Sequence, residues 1–257
     1  MSGFSIEVSG LTKKFGAFVA VNSVSFQVAR GEIFGFLGAN GAGKSTTIRM
    51  LCGLLNPTSG DAIVGGFSVR TQPEKVKERI GYMSQKFSLY DDLTVVENIR
   101  FFGGIYGLAR NLVRTRLPWI LEMAGLRGRE HSLTGELAGG WKQRLALGCA
   151  LIHEPEIVFL DEPTGGVDPV SRRRFWDLIY DLSVRGVTVF VTTHYLDEAE
   201  YCHRIMLMHA GEIIAGGSPR DLKDQHGLAT LEDVFIHLIE EKVQDERTPG
   251  AKSEGGR

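Results

Sequence analysis

Apolar and polar side chains alternate over much of the N-terminal part of the chain. The stretches Phe4–Val8 and Phe18–Val28 alternate in this way and are rich in β-branched and aromatic residues, so both are predicted to be strands. The apolar run Ile33–Leu37 follows, and it predicts a short buried strand that ends at a glycine-rich loop, residues 38–43. The chain therefore begins with β structure that leads directly into a loop of unusual composition.

A helix is predicted immediately after this glycine-rich loop. The pattern extends from about Lys44 to Leu54, and Asn56-Pro57 is expected to end it. The side chains predicted to form its buried side are Ile48, Met50, Leu51 and Leu54.

The second half of the chain alternates between strand and helix patterns. The predicted elements are strand Ile157–Leu160, helix Pro169–Val184, strand Thr188–Thr192, helix Asp197–Cys202 and strand Arg204–Met208. This alternation is typical of a sheet with substantial parallel character and helices on its faces.

Strand patterns are missing between residues 94 and 150, where helical patterns are interrupted by glycines and by Pro118. We interpret this stretch as a mostly helical insertion into the α/β core. A last amphipathic helix is predicted at Leu231–Lys242, and the polar, glycine-rich tail after it is expected to be disordered. The predicted organisation is one domain of residues 1–240, with a core of 1–93 and 151–240, the insertion at 94–150 and the tail at 241–257.

The composition is that of an ordinary soluble globular protein. Of the 257 residues 43% are apolar and 23% are charged, and the formal net charge of −2 provides no positive field to attract nucleic acid. Cys52, Cys149 and Cys202 are far apart and are expected to be buried, reduced thiols. The first residues lack the features of a secretory signal, and no apolar run approaches the roughly 20 residues needed to cross a bilayer. Any membrane-spanning part is therefore expected in another chain.

The glycine-rich loop matches the complete phosphate-binding P-loop pattern, GxxxxGK followed by Ser. Its glycines let the backbone aim several N–H groups at a phosphate, and the following helix presents its positive end to the same anion. Lys44 is predicted to contact the β- and γ-phosphates, and Ser45 to supply an oxygen to Mg²⁺. The residues predicted here to contact the nucleotide are Gly38, Asn40, Gly41, Ala42, Gly43, Lys44, Ser45 and Thr46.

Two carboxylates end the predicted strand Ile157–Leu160. Asp161 suits the coordination shell of Mg²⁺, and Glu162 suits a general base for an attacking water. Strand ends of this kind project into the crevice where α/β proteins bind ligands. His194 follows the next predicted strand, and it is expected beside the same crevice as a donor to the γ-phosphate.

The segment Leu137–Trp141 reads Leu-Ala-Gly-Gly-Trp and lies ahead of the acidic strand, inside the helical insertion. It resembles the signature segment of ABC-type ATPases, usually Leu-Ser-Gly-Gly-Gln. Gln85 and Asp168 resemble two further loop residues of that family, its Q-loop and D-loop, and Phe15 stands where the family stacks an aromatic ring on adenine. The motifs occur in the family's order from residue 15 to 194, and the overall resemblance extends from about residue 4 to 240.

The resemblance implies an α/β fold: a P-loop ATPase core with a mixed, largely parallel sheet, an N-terminal antiparallel β subdomain and an inserted helical subdomain. It implies ATP and Mg²⁺ as ligands, with Ser45, Gln85 and Asp161 around the metal. It also implies a head-to-tail dimer of identical or different cassettes, in which Ala138, Gly139, Gly140 and Asp168 of one subunit complete the ATP site of the other. The catalytic residues implied in each site are Glu162, His194 and Lys44.

The family further implies a separate transmembrane permease subunit and a position on the cytoplasmic side of the membrane. The segment Leu231–Phe235 and the P-loop sequence resemble the branch that powers drug, lipid or polysaccharide exporters. Phe87, Leu89 and Tyr90 place three large apolar side chains shortly after Gln85, where we expect contact with the permease. The alternative is that these side chains pack inside the cassette.

Three positions depart from the family's usual residues. Ala138 stands in place of the signature serine, so one hydroxyl contact to phosphate is lost, and a hydrogen bond to a charged group contributes about 1.5–3 kcal/mol. Trp141 replaces the usual Gln, and Gly165 stands where Ser is common. We expect an active but weakened site, the alternative being a partly degenerate site in a heterodimer.

Two other classes of protein share some of these motifs. A soluble ABC-type ATPase acting on nucleic acid or ribosomes usually has two ATPase halves, a long coiled-coil insertion or a basic extension, and this sequence has one P-loop, no heptad run and no basic patch. A P-loop kinase or nucleotide switch would leave the signature and Asp168 unexplained. The sequence does not identify the cargo.

Overall fold

Two sheets and eight helices form the part of the chain that the computed structural model describes, residues 3–86 and 88–247 with side chains as far as residue 242. The strands are β1 (Phe4–Phe15), β2 (Phe18–Ala29), β3 (Ile33–Gly38), β4 (Ser59–Val64), β5 (Phe67–Ser68), β6 (Ile80–Met83), β7 (Ile157–Asp161), β8 (Thr188–Thr193), β9 (Arg204–His209) and β10 (Glu212–Gly217). The helices are α1 (Lys44–Leu51), α2 (Pro73–Arg79), α3 (Val95–Ile105), α4 (Arg110–Met123), α5 (Gly139–Leu151), α6 (Pro169–Val184), α7 (Pro219–His226) and α8 (Leu231–Arg247).

The first sheet is antiparallel, with the order β2-β1-β4-β5. Its two long strands form a hairpin in which Phe15 pairs with Phe18 next to the turn. Both strands alternate buried and exposed positions over most of their length, which is why the sequence predicted them. This sheet is the N-terminal antiparallel β subdomain that the family resemblance implied.

The second sheet has the order β10-β9-β3-β8-β7-β6 in the described part of the chain. Every neighbouring pair is parallel except β9 and β10, which run antiparallel at one edge. Its central strands are buried at every position, because α1 and the first sheet cover one face while α5 and α6 cover the other. The fold class is thus the mixed, largely parallel α/β architecture that was predicted.

A cluster of phenylalanine rings joins the two sheets. Phe190 lies at its centre, with its ring centroid 5.4 Å from those of Phe34 and Phe159 and 5.6 Å from that of Phe36. Phe26 of the first sheet lies 6.1 Å from the same ring. This core fixes the carboxyl ends of β3, β7 and β8 side by side, which is where the candidate site forms.

The helical insertion has a hydrophobic core of its own, built between α3, α4 and α5. A capping box begins α3, since Thr94 and Glu97 bond each other's backbone N–H groups. The helix runs through Gly103, where a Cβ would come within 2.6 Å of Val113 Cγ2, so the glycine lets α3 and α4 approach closely. Likewise α4 continues through Pro118, which was expected to interrupt it.

Several boundaries differ from the sequence predictions. Helix α1 ends at Leu51 because Gly53 follows with a left-handed φ of +66°, and Leu54, predicted to be buried, is 48% exposed. The helix predicted at Asp197–Cys202 is a 3₁₀ turn, Glu198–Tyr201. Helix α8 continues to Arg247, so residues 241–247 are not the disordered tail that was expected, and residues 248–257 lie outside the described residues.

Two composition-based expectations have structural counterparts. Cys52, Cys149 and Cys202 are free and buried, and burial raises the pKa of each thiol. Of the helices in residues 3–86 and 88–247, none combines the length and the apolar character that a membrane span requires.

Candidate nucleotide site

The P-loop connects β3 to α1 and lines one side of a cavity of about 400 Å³. Two of its glycines are fixed by close approach of other strands. A Cβ at Gly38 would come within 2.2 Å of the carbonyl oxygen of Met208, and Gly43 has a φ of +106° with Ala20 O only 2.5 Å from its Cβ position. The residues that line the cavity are Phe18, Ala20, Asn40, Gly41, Gly43, Lys44, Ser45, Thr46, Gln85 and Glu162.

Lys44 turns back across its own loop. Its ammonium group donates to the carbonyl oxygens of Gly38 at 2.8 Å and Ala39 at 3.2 Å, and it lies 3.3 Å from Glu162 Oε1. Only 4% of the residue is exposed, so the charge is held in a low-dielectric site where it acts strongly on a neighbouring anion. Gly38 and Ala42 are not among the residues that line the cavity, and Ala42 packs into the core.

The carboxylate of Glu162 is the point where the predicted site residues meet. Gln85 Nε2 donates to its Oε2 at 2.9 Å, and His194 Nδ1 lies 3.3 Å from the same oxygen. Lys44, the first residue of α1, approaches the other oxygen, so side chains from three separate segments contact the carboxylate of Glu162, a residue that is 7% exposed. The sequence predicted these residues for one site, and the structure brings them together.

Glu162 has a strained backbone. Its φ is +48°, a left-handed conformation that non-glycine residues rarely adopt. The conformation is held because its N–H donates to the carbonyl oxygen and to the hydroxyl of Thr192, each at 3.0 Å. Strain of this kind persists where the surroundings over-determine it, and it clusters at functional sites.

Asp161 forms an oxygen-rich pair with the P-loop. Ser45 Oγ donates to its Oδ1 at 3.1 Å, and Thr192 Oγ1 donates to the same oxygen at 2.7 Å. Burial raises the pKa of Asp161, the two hydroxyl hydrogen bonds oppose that rise, and the nearby Glu162 charge adds to it. A cation beside Asp161 would favour its ionised form.

The signature segment begins α5, with Ala138 as a cap that has no side-chain hydrogen bond. A Cβ at Gly139 would meet no atom within 4 Å in the described part of the chain, so this glycine faces open space. A Cβ at Gly140 would lie 2.4 Å from Ser171 Oγ and 2.7 Å from Ser171 Cβ. The two glycines therefore differ: Gly139 leaves room for a ligand, and Gly140 allows α5 to pack against α6.

A second cavity, also of about 400 Å³, lies at this signature segment. Asp168 lines it and caps α6 by accepting the N–H of Ser171 at 2.9 Å, a hydrogen bond that lowers the pKa of Asp168. Trp141 packs partly into the helical insertion, with the Arg129 guanidinium 4.2 Å from the centre of its ring. The lining residues are Ala138, Gly139, Gly140, Trp141, Arg144, Gly166, Val167, Asp168, Ser171 and Arg174.

Of the two aromatic residues next to the β1–β2 turn, Phe18 lines the P-loop cavity, and Phe15, expected from the family resemblance to stack on adenine, pairs with it across the hairpin. Phe15 is not among the lining residues, and Lys13 Nζ lies 5.2 Å from the centre of its ring. Sequence reasoning missed Phe18 and also Thr192, whose hydroxyl and carbonyl hold Asp161 and Glu162 in place.

The sequence and the fold match known proteins. Residues 21–165 match a family model described as "ABC transporter". The chain is 54% identical over 91% of its length to the "Probable multidrug ABC transporter ATP-binding protein YbhF" of Escherichia coli (strain K12), and it spans only 41% of that protein's length. It is 39% identical to the "Linearmycin resistance ATP-binding protein LnrL" of Bacillus subtilis (strain 168), over 92% of this chain and 76% of that one.

Two solved structures share the fold. One, described as "Structure of ATP binding subunit of ABC transporter", has a TM-score of 0.82 and 32% identity, and the match covers 91% of this chain and 99% of that one. The other is a dimeric, post-hydrolysis state of the ATP-binding cassette MJ0796 bound to ADP and Pi, with a TM-score of 0.75 and 27% identity over 83% of this chain and 98% of that one.

These matches confirm the family to which the fold and the site point. The chain belongs to the ABC transporter family. Within that family its fold is that of an ATP-binding cassette.

Proposed function

We propose that this cassette hydrolyses ATP to drive export through a separate membrane-spanning subunit. The observation that carries the proposal is that Lys44, Gln85 and His194 all contact the Glu162 carboxylate, next in sequence to Asp161, which accepts a hydrogen bond from Ser45 of the P-loop. Two relatives are matched over most of their own length, and they are named as a linearmycin resistance and a Nod factor export ATP-binding protein. These names support the transport role. The proposed location is the cytoplasmic side of the membrane, bound to the membrane subunit.

In the proposed reaction, Glu162 is the general base. Its buried carboxylate can accept a proton from a water molecule positioned against the γ-phosphate, a step that typically contributes a rate factor of about 10²–10⁴. Lys44 supplies positive charge to the β- and γ-phosphates, and His194 donates a hydrogen bond to the γ-phosphate. Because both also lie within 3.3 Å of the carboxylate, they keep the base oriented.

Mg²⁺ fits the oxygen donors of the site. Ser45, Asp161 and Gln85 offer hydroxyl, carboxylate and amide oxygens, the ligands that Mg²⁺ prefers. When bound, Mg²⁺ neutralises charge on the β- and γ-phosphates.

A second cassette is proposed to complete each ATP site. The signature segment and Asp168 line a cavity different from that of the P-loop, so one chain does not bring them to the same nucleotide. Gly139 is the first residue of α5 and leaves the N-terminus of that helix open to a ligand. The helix dipole adds positive potential there. The dimeric MJ0796 cassette supports a dimer of this kind, identical or mixed.

The proposed docking surface for the membrane subunit consists of Tyr90, Phe101 and Ile105, which are 45%, 40% and 60% exposed. The ring centroids of Tyr90 and Phe101 lie 4.6 Å apart, and Asn98 fixes Tyr90 by bonding both its N–H and its carbonyl oxygen at 2.9 Å. Of the three side chains predicted earlier, Leu89 packs into the cassette and Phe87 lies outside the described residues. Tyr90 therefore carries the prediction.

A paired substitution tests this docking surface. Phe101→Glu places a charge in the apolar patch, so we expect the membrane subunit to be lost on purification while ATP affinity of the cassette stays unchanged. Val184→Glu is the matched control, because Val184 is 71% exposed at the end of α6 and lies outside the patch. Co-purification from solubilised membranes, followed by mass spectrometry, is the measurement. Equal retention of a multi-span protein by both variants would contradict the docking assignment.

A further inference from the structure

A fully buried carboxylate lies between two loops that carry site residues. Glu198, in the 3₁₀ turn after β8, has no exposed surface and is not among the residues that line the nucleotide cavity. Thr193 Oγ1 donates a hydrogen bond to its Oε2 at 2.7 Å, and Thr164 Oγ1 donates to its Oε1. The roles proposed above for the site make no use of this group.

The contact with Thr193 fixes the backbone on both sides of His194. Thr193 precedes the histidine, and its hydroxyl accepts the N–H of Tyr195 at 3.0 Å while donating to Glu198. The three groups form one chain of hydrogen bonds from the backbone to the buried carboxylate. His194 lies between Thr193 and Tyr195 in sequence, and its Nδ1 is 3.3 Å from Glu162 Oε2.

The other oxygen of Glu198 holds the loop that leads from Glu162 to Asp168. Thr164 lies in that loop, and Arg172 lies one turn beyond Asp168 on α6. Arg172 Nε is 3.5 Å from Glu198 Oε1, and the Arg172 guanidinium lies 4.4 Å from the centre of the Tyr195 ring. The arginine compensates the buried charge and contacts the His194 loop as well.

We propose that Glu198 is a positioning residue that holds the His194 loop, residues 193–195, and the Asp168 loop, residues 164–168, in one arrangement. The inference rests on the proposed function, because it assigns Glu198 to the same ATPase site. The physical reason is that each loop is tied to the same carboxylate, so a displacement of one breaks a buried hydrogen bond of the other. The histidine that faces the nucleotide and the aspartate that faces a second chain are thereby coupled.

The test is Glu198→Gln in the full chain. The glutamine side chain has nearly the volume of the glutamate. Its NH₂ group is a donor where one threonine hydroxyl needs an acceptor, and the negative charge that faces Arg172 is lost. We expect kcat for ATP hydrolysis to fall about tenfold or more, because small displacements of catalytic groups are costly, with ATP affinity unchanged since the P-loop is untouched. Glu200→Gln, in the same turn but exposed and paired with Lys223, is the matched control with parental kcat.

A conservative pair makes the test independent of how Glu198→Gln folds. Thr164→Val removes the hydroxyl that bonds Glu198 and should lower kcat, whereas Thr164→Ser keeps it and should restore most of the rate. Parental kcat in Glu198→Gln or in Thr164→Val overturns the proposal and leaves the ATPase assignment intact. Equal losses of kcat, ATP affinity and thermal midpoint also overturn it, because they indicate a structural role. An inactive parent chain would instead contradict the proposed function.

Discussion

Glu162 combines three properties that rarely occur together in one residue. It is almost fully buried, its backbone is left-handed, and three side chains from separate segments of the chain contact its carboxylate. Burial without compensation would cost several kcal/mol, so the contacts with Lys44 and Gln85 are what make a charged base tolerable at this position. With this backbone the carboxylate lies 3.3 Å from the Lys44 ammonium group.

The two aromatic residues of the β1–β2 hairpin provide a residue-scale prediction. Phe18→Ala should weaken ATP binding several-fold, because base–aromatic stacking contributes about 1–3 kcal/mol and Phe18 lines the cavity. Phe15→Ala is the matched control, since Phe15 is half exposed in the same hairpin and faces Lys13. The measurement is titration of both variants with ATP and, in a second series, with inorganic triphosphate, which lacks the adenine base. A larger loss of ATP affinity in Phe15→Ala would return the stacking role to that residue.

Local motifs predict individual residues well where the chemistry is tied to neighbours in sequence. Lys44, Ser45 and Asp161 follow from the P-loop and from a strand end, and the structure places Ser45 and Asp161 3.1 Å apart. Phe18 and Glu198 could not be predicted in this way, because their roles depend on hairpin geometry and on burial between loops distant in sequence. Burial of a glutamate in particular has no signal in a single sequence.

At the scale of elements, the two adjacent glycines that begin α5 have different structural roles. The pattern of two adjacent glycines suggests that both expose N–H groups to phosphate. The structure shows that a side chain at Gly140 would collide with α6, whereas one at Gly139 would face the cavity. One glycine sets how the helical insertion packs on the core, and the other sets what can approach its helix end.

This difference gives a prediction at the element scale. Gly140→Ala should lower the thermal midpoint, because overpacking against Ser171 costs about 1–3 kcal/mol, while ATP affinity of the P-loop stays unchanged. Gly139→Val should leave the thermal midpoint close to that of the parent chain and abolish ATP-dependent association with a second cassette. Thermal unfolding and light scattering of both variants are the measurements. Equal midpoints for Gly140→Ala and the parent chain would show that α5 and α6 can separate at little cost.

The elements with a clear apolar pattern were predicted, whereas strands β4, β5, β6 and β10 were not. Helix α6 begins and ends where its pattern predicted, since Asp168 caps it and Pro169 follows. Strands β5 and β6 have two and four residues, too few to show a period. Helix α7 was missed although Ser218-Pro219 is a strong start signal, and the Ser218 side chain indeed accepts the N–H of Asp221.

At the scale of the whole molecule, the P-loop and the signature segment line two different cavities of one chain. The P-loop cavity contains the base and the phosphate-binding loop, and the signature cavity contains an open helix end with Arg144 and Arg174 beside it. Burial and the charge of Arg174 lower the pKa of Arg144, and the nearby Asp168 carboxylate opposes that shift. The two arginines place positive charge beside the open helix end. A nucleotide bound to one chain is therefore expected to stabilise contact with another.

Association driven by ATP tests the central claim most directly. In Glu162→Gln the base is lost but the P-loop and the signature segment are intact, so bound ATP should persist and hold two cassettes together. Light scattering of Glu162→Gln with saturating ATP and Mg²⁺ should report the dimer mass, and the double variant with Lys44→Ala should remain monomeric. If Glu162→Gln keeps the monomer mass while ATP is bound, or still turns ATP over at the parental rate, the two-cassette ATPase site assigned here is wrong.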